Sequence, residues 1–223
     1  MRKMRLPIMA LLLAVIGATQ VFSQRVIGYH QGWRNDQIED FYWQYVTDVN
    51  YSFVTIDANG NPDFGLNGTN DPSQTLDFTN FKAMADANGV RYHMSVGGAS
   101  VTQAGNFKSN VSSDAKAESF AAKLVNFAIA NDFSGIDIDW EPEEGAGEPT
   151  AVEWTRLAQK LREAITASGK ALELSAAVFP FKWNNDFVTS TSYPYFDHLN
   201  LMVYDFGGAD YEHHSGAMPS GTW

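Results

Sequence analysis

Residues 134–141 read Ser134-Gly135-Ile136-Asp137-Ile138-Asp139-Trp140-Glu141, an alternation of apolar and acidic side chains. On a β-strand, this period of two sends Asp137, Asp139 and Glu141 to one face and Ile136, Ile138 and Trp140 to the other. The apolar face calls for burial. The acidic face is costly to bury as a set unless it serves a purpose. Both demands are met where a strand packs its apolar face under helices and carries its acidic face up to a mouth, as at the C-terminal end of barrel strands. Crowded carboxylates cannot all ionise, so at least one is expected to bind its proton more tightly than usual. A carboxyl group kept protonated near neutral pH can act as a general acid. Glu141 is outermost and best placed for that role, with Asp137 and Asp139 deeper and able to hold a shared proton. A divalent metal site is disfavoured because no histidines converge nearby.

Working outward, the chain alternates strand-like and helix-like segments. Strands are expected at 25–29, 48–54, 90–96, 135–139, 172–178 and 198–204. Helices are expected at 37–46, 78–88, 113–131 and 151–168, with Gly89 and Gly169 as stop signals. Residues 57–72 are rich in Asn, Gly, Asp and Pro and read as turns. Such alternation implies parallel strands joined by crossovers, either a doubly wound sheet or a (β/α)8 TIM-type barrel. The turn after the first strand, GYHQGWRND, has no G-x-G-x-x-G, which disfavours dinucleotide binding.

Composition narrows the classes further. The 223 residues carry a net charge of −11. A chain this acidic repels phosphate backbones, so nucleic acid is not an expected partner. With no cysteine, disulfides and thiolate metal sites are excluded. At 44% hydrophobic residues, one domain with a sizeable core is affordable in size and composition. Arg2, Lys3 and Arg5 precede the apolar run Leu6 to Ala18, which is shorter than the roughly 20 residues a spanning helix needs. Residues 1–23 therefore read as a secretory signal peptide cut near Ser23, leaving 24–223 as a secreted or periplasmic domain with no membrane attachment.

The motif Ser134–Glu141 resembles the DGxDxDxE signature of glycoside hydrolase family 18, the chitinases. It matches at Gly135, Asp137, Asp139 and Glu141 and departs at Ser134, where the family commonly has Asp or Asn. Ser95-Val96-Gly97-Gly98 resembles the family's SxGG, and Met202-Val203-Tyr204-Asp205 its MxYD, in the same order on the third and sixth strands. The resemblance spans Val26 to about Met218. It implies a (β/α)8 barrel and retaining hydrolysis assisted by the substrate's own N-acetyl group, the family being an exception to the two-carboxylate scheme. It also implies roles. Glu141 protonates the leaving oxygen, Asp139 orients the acetamido group, and Asp137 pairs with Asp139 at rest. Tyr204 donates to the acetamido oxygen, and Tyr29 forms part of the floor. Ser95 bonds toward Asp137, and Gly97 and Gly98 admit close approach of the sugar. Met202 and Asp205 complete the substrate-binding set. No cofactor or metal is implied. The partner is chitin or an N-acetylglucosamine oligosaccharide. The alternatives are an endo-β-N-acetylglucosaminidase acting on the N-glycan core, and a non-enzymatic sugar-binding protein on the same scaffold. Only about six strand–helix units are counted against the family's eight. The chain is thus expected to be C-terminally truncated, with its first and sixth strands as exposed edges.

Trp33, Trp183 and Trp223 are candidate stacking platforms for sugar rings. His213 and His214 are adjacent and point apart on an extended chain, so they read as loop polarity. Residues 57–61 faintly resemble a calcium loop, but Pro62 stands where glycine is needed, and a turn is the better reading. Asn67-Gly68-Thr69 and Asn110-Val111-Ser112 fit the glycosylation triplet.

Overall fold

A computed structural model describes residues 24–33, 43–65, 72–142, 147–180 and 186–204, with only the backbone described at 72–76. The chain runs β1 (Ile27–Gln31), β2 (Asp48–Ile56), β3 (Pro62–Asp63), α1 (Pro72–Asn88), β4 (Arg91–Gly97), α2 (Val101–Asn110), α3 (Asp114–Ala130), β5 (Gly135–Asp139), α4 (Ala151–Ser168), β6 (Glu173–Val178) and β7 (His198–Leu201). Short 3-10 turns occupy Trp43–Tyr45 and Tyr193–Tyr195. Six strands pair in parallel in the order β1-β2-β4-β5-β6-β7, as consecutive members of a (β/α)8 barrel. Among the described residues, β1 and β7 are the edges of this sheet. They flank a groove of about 590 Å³ lined by Ile27, Gly28, Tyr29, Leu199, Asn200, Leu201 and Tyr204.

The period-two pattern decides which side of the sheet is greasy. Outward residues Val49, Tyr51, Met94, Val96, Ile136, Ile138, Leu174, Ala176 and Val178 are buried with helix residues such as Phe81, Phe107, Phe120, Leu124, Trp154 and Leu161. Trp140 lies on this side, stacked on Phe107 at 5.0 Å between ring centres. The inward face is polar at successive levels, with Asp48, Asn50, His93, Ser95, Asp137, Asp139 and Ser175 all buried. Local signals set the helix ends. Thr150 and Glu153 form a reciprocal capping box at the start of α4, and Gly169 stops it at φ +65°. Ser113 caps α3 by accepting from the Lys116 N–H.

Several expectations need correction. α1 starts at 72 rather than 78, and β7 ends at 201 rather than 204. Within 37–46, only 43–45 fall among the described residues, and they form a 3-10 turn. The turn region 57–72 contains β3, which pairs antiparallel with β2. Helix α2 was not expected at all. Its sequence, VTQAGNFKSN, has a weak apolar stripe, and polar contacts anchor it beside the buried Ala104 and Phe107. Gln103 Nε2 and Asn106 Nδ2 both donate to the Ile56 carbonyl, and the Ile56 N–H donates to Gln103 Oε1. The loop at 57–61 is a turn, with Asp57 Oδ1 accepting the N–H groups of Asn59 and Asn61. Asn110, in the second glycosylation triplet, is buried and donates to the carbonyls of Ala58 and Asn106, so the folded chain does not present it. Asn67, His213, His214 and Trp223 lie outside the described residues.

Candidate active site

β5 projects Gly135, Asp137 and Asp139 inward at successive levels, and Glu141 follows just beyond the strand end. Asp137 is wholly buried and Asp139 is 4% exposed, while Glu141 is half-buried. Gly135 is required at its level because a Cβ there would run into the His93 ring. Directly in register with Asp137 are Ser95 on β4 and Ser175 on β6. The Ser95 hydroxyl donates to Asp137 Oδ2 at 3.2 Å, as the sequence had suggested. Tyr29 on β1 donates to the same oxygen at 2.9 Å.

The carboxyl pairing differs from the expected one. Asp139 is hydrogen-bonded to Glu141 rather than to Asp137, whose oxygens are occupied by other donors. Asp139 binds its proton far more tightly than an ordinary aspartate. Burial is the first cause, followed by the neighbouring charges of Glu141 and Asp137 and the hydrogen bond with Glu141. Its other oxygen, Oδ1, is buried and has no hydrogen-bond partner among the described residues. The Tyr29 hydroxyl is likewise held protonated, first by burial and then by the charges of Asp137 and Asp139, although the residue is 37% exposed along its ring.

The glycine pair at the end of β4 lies against the Asp139 backbone. Gly97 has φ +118° and a Cβ there would strike the Asp139 carbonyl; the Gly98 N–H donates to that carbonyl at 2.8 Å. Gly98 has φ +86° and lies against the Phe53 ring. Only glycine satisfies both the left-handed backbone and the close approach. Trp33 stands at the same end, 47% exposed, with its ring 6.1 Å from that of Phe53. Tyr204 is 42% exposed and Met202 is buried. Asp205 and Trp183 lie outside the described residues.

Sequence reading missed Ser175 and Asn200, which both donate to Asp137. A small polar residue inside an apolar strand, as in LELSAAV, was the available signal. Among the described residues, one group could bring three ligand atoms to a metal ion: Asp48, His93 and Glu173 at the opposite end of the barrel. Arg25 and Arg91 already pair with both carboxylates there, so the donor set suits an ion-pair network better than a cation.

Comparison with known proteins matches residues 25–219 to the family model described as glycosyl hydrolases family 18. An endochitinase of Manduca sexta is 27% identical over 214 residues, covering 88% of this chain and 38% of its own length. The crystal structure of the GH18 chitinase ChiB of Flavobacterium johnsoniae superposes with a TM-score of 0.67 at 22% identity, over 86% of this chain and 59% of that one. A chitinase-like agglutinin of Robinia pseudoacacia gives 0.68 at 24% identity, over 81% and 55%. The chain thus spans well under two thirds of the relatives it matches.

Proposed function

The chain belongs to glycosyl hydrolases family 18, and from that premise we propose that it hydrolyses β-1,4-linked N-acetylglucosamine chains with Glu141 as proton donor. The observation that carries this reading is the state of Asp139. A buried carboxyl oxygen without a partner is rare in folded proteins and calls for one. Among the described residues Asp139 Oδ1 is such an oxygen, and it belongs to a group already bonded to Glu141. The N–H of a 2-acetamido group supplies the missing donor. Held in that way, the acetamido oxygen faces the anomeric carbon and attacks it as Glu141 protonates the leaving oxygen. Asp139 stabilises the resulting oxazolinium ion and Tyr204 donates to its oxygen. Glu141 then takes a proton from water as the ring opens. Trp33, beside Phe53, offers a ring for a neighbouring sugar.

Incubation with labelled chitooligosaccharides, a chitobiose-core glycopeptide and cellooligosaccharides tests this. Cleavage of the chitooligosaccharides and not of the cellooligosaccharides is expected, since only acetamido sugars carry the internal nucleophile; cleavage of the glycopeptide in preference to chitooligosaccharides favours the N-glycan-core endoglycosidase instead. A glycosyl ester trapped on any Asp or Glu, or efficient cellooligosaccharide cleavage, sinks the mechanism. Tight binding of chitooligosaccharides with no turnover favours a sugar-binding protein, the reading that similarity to an agglutinin supports. Residues 1–23 are proposed as an export leader, on their basic start and apolar run. Protein recovered outside the cytoplasm then begins near Gln24; an intact Met1 on such protein rules this out.

A further inference from the structure

On the far side of the sheet from the acidic ladder, the apolar layer between strands and helices contains a polar group of three. Outward positions such as Met94, Val96, Ile136 and Ile138 are apolar. His30 on β1 also points outward and is buried, and it faces Asp77 of α1, which is buried as well. His30 Nε2 lies 3.1 Å from Asp77 Oδ2. His30 is paired in register with Tyr51 on β2. The Tyr51 hydroxyl donates to Asp77 too, and the phenol is held protonated, first by burial and then by the charge of Asp77. One helix carboxyl group thus grips both strands. The His30 ring is also stacked on Phe81 of α1, 5.0 Å between ring centres. An apolar trio of similar volume would serve stability as well or better, because polar and charged groups are costly to bury. What hydrogen bonds add is direction, since they weaken steeply when distance or angle drifts.

The strand ends gripped in this way lead straight to the mouth. The Gly32 N–H donates to the Ser52 carbonyl at 2.6 Å, and a Cβ on Gly32 would strike the Tyr51 hydroxyl. That hydroxyl therefore sets where the chain lies just before Trp33. Phe53 follows Tyr51 by two residues on β2. The Trp33 and Phe53 rings stack at 6.1 Å with 26° between their planes, and Trp33 keeps about half its surface open. We propose that His30, Asp77 and Tyr51 are positioning residues, a polar clamp that holds the Trp33–Phe53 ring pair in the orientation a sugar ring stacks on, and so sets the affinity for chains long enough to reach it. The proposal rests on the reading of this mouth as a site for N-acetylglucosamine chains. None of the three touches the substrate; they act through the ends of β1 and β2.

The test is calorimetric binding of the N-acetylglucosamine dimer and hexamer to the full chain, with Glu141→Gln in every sample so that no ligand is consumed. The dimer is expected to fill the acidic cluster and stop short of the ring pair, which the hexamer reaches. Trp33→Ala then weakens the hexamer roughly threefold to tenfold, the order of one lost aromatic contact, and leaves the dimer within about twofold. Two clamp variants, Tyr51→Phe and the apolar triple His30→Phe, Asp77→Leu, Tyr51→Phe, show the same length dependence. The triple approaches the full loss, and in a Trp33→Ala background neither variant costs further affinity, since both act through that ring. A merely structural role gives the opposite pattern, with equal losses on both lengths or losses that add to Trp33→Ala. Should the triple not fold, Tyr51→Phe removes a single hydroxyl and carries the same comparison. Parent-like hexamer affinity in a folded clamp variant, or in Trp33→Ala, overturns the proposal. A parent with Glu141 intact that binds both oligosaccharides without cleaving them overturns the proposed hydrolysis and leaves this comparison able to decide the clamp. A parent that binds neither overturns both.

Discussion

Two aspartates, at opposite ends of the same barrel interior, are both shielded from solvent and behave oppositely. Asp48, wholly buried on β2, receives Nε and Nη2 of Arg25 at 2.9 Å, Nη2 of Arg91 at 2.7 Å, Nε2 of His93 at 3.0 Å and the Thr47 hydroxyl at 2.8 Å. Burial alone would raise its affinity for a proton. The bonds from His93, Arg25 and Thr47, with the charge of Arg25, outweigh that and hold Asp48 well below the usual carboxylate range. Asp139 is more deeply enclosed and meets Glu141 and Asp137 instead of cations, so burial and charge push it the same way, upward. The lesson is that loss of solvent alone does not set the charge of an acid; the partners at its level decide whether the cost of burial is offset or reinforced. The N-terminal end is an ion-pair plug joining β1, β2, β4 and β6. The C-terminal end withholds compensation where the proposed chemistry needs a movable proton.

The contrast can be broken most severely at the functional end. Glu141→Gln keeps shape but cannot deliver a proton. Its kcat on chitooligosaccharide is expected to fall by roughly 10²–10⁴-fold with binding retained, as for loss of a general acid. Near-normal turnover by this variant would falsify the assignment. At the plug, Asp48→Asn leaves two guanidinium groups and His93 facing no central anion. Losing one partner of a buried pair costs about 3–5 kcal/mol, and the part-exposed arginines place this case near the low end, about 3 kcal/mol. The urea midpoint at neutral pH reads it.

Acidification sharpens the comparison, because the two aspartates carry opposite signs. Asp48 has its folded value lowered, so the stability it contributes is present above an ordinary aspartate's pKa of about 4 and fades as pH falls through the folded value. Asp139 has its folded value raised, so its contribution is full below about 4 and is lost as pH rises through the folded value. Asp139→Asn is therefore expected to melt above the parent at about pH 8 and to converge with it toward about pH 4. Asp48→Asn melts below the parent at neutral pH and converges in acid. Parallel melting-temperature profiles for the two variants would contradict the argument. The smallest effect belongs to Arg91→Met. Arg91 is 47% exposed, and Asp48 keeps Arg25 and His93, so a loss of about 1 kcal/mol or less is expected by denaturant titration.

The sequence by itself determined the six parallel strands, the crossover topology and the acidic ladder. These rest on local chemistry: period-two alternation at 134–141, glycine stops at 89 and 169, and the glycine pair at 97–98. The same locality explains why the bounds of β2, β4, β5 and β6 were legible to within two residues. Helix α2 was not, because only Ala104 and Phe107 give it a buried apolar side while Gln103 and Asn106 satisfy the Ile56 carbonyl of a distant strand. Only the tertiary structure decided which carboxyl Asp139 pairs with. The sequence suggested Asp137, but Tyr29, Ser95, Ser175 and Asn200 fill Asp137's oxygens from four other strands. Nor could sequence show that Arg25, Asp48, Arg91, His93 and Glu173 form one network, since their spacing along the chain exceeds any local interaction. Alternation tells each side chain which way to face; the register of six parallel strands decides whom it meets there.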